Sequence, residues 1–393
     1  MRVLHLIPSV SPLRGGPSQA VVAMVKAERA LGCDARIVTT NDHGPGLLHD
    51  LPVGGWGEWQ GVPLRAFHRW SPPVRPLREF QVAPALAPWL WRELPRWDLL
   101  HVHALFSWST STGMALARRR RVPYLLRTIG QLNTWSLRQS PRRKRLLLRL
   151  VDRRNLQGAA ALHFTSAAEQ EEAAALGLAT PSFVLPLGVD LPPAGELPGQ
   201  RTPGGTRFVF LSRLHPKKQL PLLFEALAAV QRRRPAIDWS LAVAGDGDPA
   251  YLGQLQQQVR DLGLGPRVRW LGFVAGAAKL ELLATADWFV LPSASENFGI
   301  AALEALAAGT PVLLSPEVAL AAAVAETDAG RLCPGQLEPL TEALLACLTP
   351  PDPQQRAAAR RLAQERFGWE PIARSLLDRY RTYAPPHPNA PPA

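Results

Sequence analysis

Leu291-Pro292-Ser293-Ala294-Ser295-Glu296-Asn297-Phe298-Gly299-Ile300-Ala301-Ala302-Leu303-Glu304-Ala305-Leu306-Ala307-Ala308-Gly309-Thr310-Pro311 reads as one strand–loop–helix–strand unit. The apolar run 287–291 predicts a strand that ends near Pro292, and a polar loop then carries Glu296. Gly299 stands where a helix over 300–308 begins, and 311–314 predicts the next strand. Two strands joined through a helix run parallel, so the stretch points to an α/β domain with a parallel sheet. Glu304, just over one turn inside the helix, is ringed by Ala and Leu and needs partners; two adjacent ribose hydroxyls match a carboxylate well. The helix start at Gly299 and Ile300 offers N–H groups to a phosphate.

Working outward, the same rhythm fills the chain. Upstream in the second half it predicts strand 207–211, helix 219–233, strand 239–244, helix 250–262, strand 267–270 and helix 277–284. The first half gives strands 2–7, 35–40, 99–102, 122–126 and 160–164, with helices at 18–31, 76–93, 108–120, 142–156 and 166–176. Between the halves, Leu191 to Gly205 is rich in Pro and Gly and lacks apolar periodicity, as a linker does. The expectation is an α/β chain of two Rossmann-like, doubly wound domains facing a cleft. The first spans 1–190, the linker 191–206, and the second 207–368; a helix at 369–384 packs back on the first, and 385–393 is a disordered tail.

Length and composition agree. A chain of 393 residues suits two cores. Cys33, Cys333 and Cys347 stand far apart without CxxC or zinc spacing, which reads as reduced thiols in a cytoplasmic protein. No secretory signal and no long apolar span is evident. The formal charge of +12, from 44 basic and 32 acidic residues, favours anionic partners. No recognition-helix, zinc or RNP-like motif accompanies it, so nucleic acid is not an expected partner. The basic segment Arg138 to Arg154, with Leu147, Leu150 and Val151 on one face and Arg118 to Arg121 nearby, offers two readings: a core helix, or peripheral contact with an anionic membrane.

Three further stretches carry chemistry. Gly15-Gly16, after the first strand and before a helix, allows close approach of backbone N–H groups to an anion; a tight turn capped by Ser18 fits equally. Ser212-Arg213-Leu-His-Pro-Lys217-Lys218 places basic groups at a strand's carboxyl end, where Arg213 and Lys218 suit a diphosphate that gains charge on leaving. The alternative is a solvated turn. His103 ends another strand.

Glu296 and Glu304, with seven residues between them, resemble the EX7E motif of the GT4-type (group 1) retaining glycosyltransferases. Arg213 and Lys218 resemble that family's Arg-x4-Lys element, Gly245-Asp246-Gly247 its Gly-x-Gly turn, and Gly15-Gly16 its donor loop. His101-Val-His103, Thr165-Ser166, Gly188-Val-Asp190 and Phe367-Gly-Trp369 fall in familiar places, so the likeness covers nearly the whole chain. It implies the GT-B fold and retaining, metal-independent transfer of a hexose from a nucleotide-diphosphate sugar to a glycan or lipid-linked acceptor, with no cofactor. It places Arg213 and Lys218 on the diphosphate, Glu296 by the sugar hydroxyls, and Glu304 on the ribose. Gly15, Gly16, Gly245, Asn297, Phe298, Gly299 and Ile300 would line the donor. Asp246-Gly-Asp248 looks like a metal-binding DxD, but is assigned to the Gly-x-Gly turn with both carboxylates capping the next helix. Relatives often carry His immediately before Gly130, where this chain has Ile129; His103 and Arg127 are the substitutes for catalytic help. A nucleotide-sugar sensor without turnover is the alternative reading.

Overall fold

A computed structural model describes residues 1–74, 78–138, 148–192 and 204–384. The chain divides into two compact units, Met1–Gly188 with Trp369–Ala393, and Val189–Gly368.

The first unit is built on β1 (Arg2–Ser9), β2 (Asp34–Thr40), a small hairpin of β3 (Asp42–His43) and β4 (Gly46–Leu47), β5 (Gly57–Trp59), β6 (Val62–Phe67), β7 (Leu99–His103), β8 (Tyr124–Arg127), β9 (Ala161–Phe164) and β10 (Ser182–Val184). Its main sheet has the order β10-β9-β8-β7-β1-β2-β6-β5, parallel except for the edge pair β5–β6. β1 is buried on both faces from Val3 to Ser9, as a parallel strand covered by helices on either side must be. β6 and β10 were not foreseen: Pro63 and Arg65 interrupt the apolar run of β6, and β10 spans only Ser182–Val184. Of the expected helix over 76–93, residues 76–77 lie outside the described residues, 78–79 are helical, the chain leaves the helix at 80–85, and Leu86–Glu93 forms the helix proper. Pro84 keeps Ala83 out of helical geometry, and Gln81 adopts φ 57°. Residues 139–147 of the basic segment, Leu147 among them, lie outside the described residues; beyond them a π-helical turn, Leu148–Asp152, leads into Arg153–Gln157.

The second unit holds β11 (Thr206–Leu211), β12 (Trp239–Ala244), β13 (Val268–Gly272), β14 (Trp288–Leu291), β15 (Val312–Leu314) and β16 (Gly330–Leu332). Their order, β13-β12-β11-β14-β15-β16, is the doubly wound Rossmann arrangement. Each sheet has one point where strand order reverses. It lies between β11 and β14 in the second unit and between β1 and β7 in the first.

The terminal helix Trp369–Tyr383 belongs to the first unit and packs on the helix Gly16–Ala30. It buries Trp369, Ile372, Ala373, Leu376, Leu377 and Tyr380, a stripe of helical period. Burial of each large apolar side chain in that stripe stabilises by about 1.5–3 kcal/mol.

Candidate active site

In the second unit the loops that leave β11 and β14 meet at the reversal point, where ligands of such sheets bind. After β11 the chain makes a tight turn, Pro216–Lys218, capped by the His215 side chain, and Gln219 (φ 55°) redirects it into the helix Leu220–Arg233. The loop after β14 is fastened to this turn by Ala294 N–H donating to Lys217 C=O at 2.8 Å. Lys218 forms an ion pair with Glu296 across the two loops. Glu296 is held in turn by its own N–H on Glu317 C=O and by Ala319 N–H on its carbonyl. Burial, then Lys217 and Arg213, push the Lys218 ammonium well below the ordinary lysine pKa, so this cation depends on a nearby anion.

Gly245 and Gly247 support the basic loop rather than merely turning. A Cβ on Gly245 would collide with the Ser212 carbonyl, and one on Gly247 with the Leu214 carbonyl. Leu214 N–H donates to Asp246 C=O at 2.8 Å, so the two loops share a short ladder. Of the two carboxylates assigned as caps, only Asp248 caps the helix Pro249–Asp261, accepting from Ala250 and Tyr251 N–H. Asp246 is corrected to an exposed turn residue whose carbonyl takes part in that ladder.

Gly299 (φ 95°) caps the helix Ile300–Ala307 in left-handed conformation without a side-chain hydrogen bond, which suits glycine. Glu304 on this helix pairs with Lys279 at 2.7 Å, both about a quarter exposed at 25% and 29%. Lys279 is the residue that sequence reasoning missed; its signal was its rarity, as one of five lysines. The Phe298 ring packs edge-on against Phe367 at 5.8 Å, so only its main chain is left to face a ligand. Asn297 is partly exposed and Arg213 exposed.

In the first unit, Gly15 (φ 87°) precedes the helix Gly16–Ala30 and also has no side-chain cap. The loop before it is strapped by Asp42, which accepts from Arg14 Nε and Nη2 at 2.7 and 2.8 Å and from Arg69. These arginines hold the Asp42 carboxyl below its usual range against the effect of burial.

One face of the first sheet carries a buried polar layer. His5 donates from Nε2 to Glu28 at 2.9 Å and faces His103 Nε2 through Nδ1 at 3.0 Å. Tyr380 donates to Glu28 at 3.0 Å and meets His101 Nδ1 at 2.7 Å. His101 Nε2 lies 3.4 Å from His163 Nδ1, and His163 Nε2 donates to Leu185 C=O at 2.9 Å. Burial drives His101 and His103 well below the usual histidine pKa and His163 to about 3, and Arg127 adds to each. These three imidazoles are therefore neutral, and because Tyr380 donates to Glu28 and His163 Nε2 to Leu185, the 3.4 Å contact between His101 and His163 is left without a proton. His5, His101 and His103 bring ring nitrogens within 4.8 Å of one another, a spacing open to a metal ion; the His5 and His101 nitrogens take part in the contacts above, whereas His103 Nδ1 has no partner. His103 itself is wholly buried.

Comparisons with known proteins follow this geometry. Residues 205–350 match the family model described as Glycosyl transferases group 1, and residues 15–188 match the Glycosyl transferase 4-like domain. The D-inositol 3-phosphate glycosyltransferase of Jonesia denitrificans is 30% identical over 309 residues, covering 73% of this chain and 72% of that protein. The protein of the same name from Frankia alni is 31% identical over 309 residues, covering 72% and 74%. Among solved structures, Anabaena Alr3699/HepE in complex with UDP and glucose superimposes with a TM-score of 0.73 at 22% identity, covering 97% of this chain and 100% of that one. Sucrose-phosphate synthase from Thermosynechococcus elongatus gives 0.74 at 21% identity over 97% of this chain and 99% of that one.

Proposed function

Because the chain belongs to the group 1 glycosyl transferase family and is a glycosyltransferase of the GT-B fold, we propose that it is a retaining, metal-independent enzyme moving a hexose from a nucleotide-diphosphate sugar to a glycan or lipid-linked acceptor. The observation that carries this reading is the pairing of Lys218 with Glu296 across the two loops at the reversal point of the second sheet. An ammonium with a depressed pKa, set beside one carboxylate, is ready to meet a diphosphate instead. Arg213 and Lys218 stabilise the charge that develops on the diphosphate as the glycosidic C–O bond breaks. Glu296 accepts from sugar hydroxyls, and Glu304 from the ribose once Lys279 yields. The acceptor oxygen forms the new C–O bond on the same face, and its proton passes to the departing diphosphate.

The nucleotide complex of a neighbour makes UDP-glucose the first donor to try, and the curated relatives' name adds a phosphorylated polyol as an acceptor to try beside glycans. The test is nucleotide release from UDP-, GDP- and ADP-sugars with and without EDTA, beside Lys218→Ala and Glu304→Ala. Turnover insensitive to EDTA and lost in both variants is expected. Donor binding without turnover under any acceptor would instead identify a sensor.

A further inference from the structure

Arg127 ends β8 with its side chain wholly buried, and none of its three guanidinium nitrogens has a hydrogen-bond partner. An arginine carries five N–H donors and cannot shed its charge, so burying it unpaired costs several kcal/mol. The carboxylates around it are engaged elsewhere. Glu169 accepts from Thr128 Oγ1 at 2.6 Å, Gly130 N–H at 2.5 Å, and both the N–H and Oγ1 of Thr165 at 2.9 Å. Glu28 is shared by His5 and Tyr380. Burial lowers the Arg127 pKa to about 10, with Glu169 and Tyr380 opposing the fall through space alone.

His103 is the register partner of Arg127 on β7, so the two side chains stand on the same face of adjacent strands. His103 Nε2 faces His5 Nδ1 at 3.0 Å. The other nitrogen of His103, Nδ1, is buried without a partner. A planar fork of unsatisfied donors beside an unsatisfied ring nitrogen is complementary to an oxyanion.

The loops that leave these two strands are strained. Ala104 and Phe106, after β7, have φ 85° and 57°, and Ile129, after β8, has φ 55°. A β-branched residue in that region is a true outlier, and such strain collects at sites that bind or switch. The two loops are joined by Leu105 N–H donating to the Gln131 side chain.

We propose that Arg127 and His103 form a site in the first unit for an oxyanion, phosphate or carboxylate, reached when the loops after β7 and β8 move. On the glycosyltransferase reading, on which this assignment of the ligand rests, the oxyanion belongs to the acceptor.

The test is thermal unfolding of the full chain in inorganic phosphate, in acetate, and in chloride at matched ionic strength. Wild type, Arg127→Met, Arg127→Lys and Lys218→Ala are compared. Phosphate at about ten times its Kd is expected to raise the wild-type Tm by about 2–6 °C over chloride. Lys218→Ala keeps this shift and Arg127→Met loses it. In chloride, Arg127→Met melts no lower than wild type, because methionine fills the space without a buried charge. Arg127→Lys, a point charge in place of a fork, responds less than wild type, which keeps the test open should the methionine variant not fold. A larger shift in acetate than in phosphate would assign the carboxylate class. No anion-specific shift in wild type, or an undiminished shift in the Arg127 variants, would overturn the proposal. Protection by UDP, and its loss in Lys218→Ala, tests the donor reading separately.

Discussion

The two units solve one problem in opposite ways: each gathers ionisable groups at the carboxyl ends of parallel strands. In the second unit these groups sit on loops as opposite charges, Lys218 with Glu296 and Lys279 with Glu304, and the second pair is partly open to water. In the first they sit on the strands themselves, as His5, His101, His103, Arg127 and His163, closed over by Glu28 and Tyr380 and wholly buried. A partly exposed pair such as Lys279 with Glu304 contributes little to folding, and a pair carried on loops can exchange one counter-ion for another. The strand layer is framework. Its hydrogen bonds are specific, its His101, His103 and His163 stay neutral, and its one permanent cation, Arg127, is left unpaired.

Acid is the strongest way to separate the two. His101, His103 and His163 have folded pKa values below the unfolded value near 6.5. Below that pH the unfolded chain binds more protons than the folded one, so stability falls as pH drops. The loss reaches about 1.4 kcal/mol per pH unit for each group, or about 4 kcal/mol for the three together. For His163 it continues towards about pH 3. Region-resolved hydrogen exchange, corrected for intrinsic rates, should show β1, β7, β8 and β9 losing protection between pH 6 and 4 while β11, β12 and β14 hold. Equal loss in both sheets would contradict the neutral-layer description.

Next in size is Asp42→Ala. It leaves the buried Arg69 and the part-buried Arg14 without their shared carboxylate, and should destabilise the first unit by about 3–5 kcal/mol. Lys218→Ala makes the contrasting case in the second unit. Stability should change by no more than about 1 kcal/mol, since Glu296 keeps access to solvent with its side chain 18% exposed. The rate of transfer should fall by about 10²–10³. Chemical denaturation beside nucleotide release reads both. A Lys218→Ala protein that unfolds as readily as Asp42→Ala would make the loop pair framework as well, and the distinction would go.

What the sequence disclosed follows the same line. The second unit's candidate site could be put forward from sequence because its residues fall in short contiguous stretches, each at a strand end: Arg213 to Lys218, Gly245 to Gly247, Glu296 to Glu304. The main strands of both sheets were legible for a similar reason, as compact apolar runs bounded by Gly and Pro. The first unit's layer was not. His5, His101 and His163 are separated by scores of residues, and a lone histidine in an apolar run says nothing until strand order puts β1, β7 and β9 near one another. Tyr380 is farther still, 352 residues from the Glu28 that it contacts. Lys279 escaped because its partner lies on a different helix, 25 residues on.

The smallest effect probes the backbone. Where the second unit needs a left-handed residue beside its site it uses Gly245 (φ 129°) and Gly299 (φ 95°), with Gln219 the exception; the loops after β7 and β8 use Ala104, Phe106 and Ile129. Ile129 is the costliest of these, because branching at Cβ crowds the left-handed conformation, whereas Asn and His tolerate it. Position 129 is thus one where His is the easier residue conformationally. Ile129→Asn and Ile129→His should each raise stability by about 1 kcal/mol, the low end of the strain such a residue stores, offset in part by lost apolar contact. That corresponds to a Tm rise of about 2–4 °C. Asn tests strain without an imidazole, so an equal gain in both variants assigns the effect to the backbone. A gain in His alone would trace it to a new hydrogen bond within the polar layer. A fall in both would mean that the loop after β8 is not strained, and the contrast between relaxed glycine turns in one unit and loaded loops in the other would not survive it.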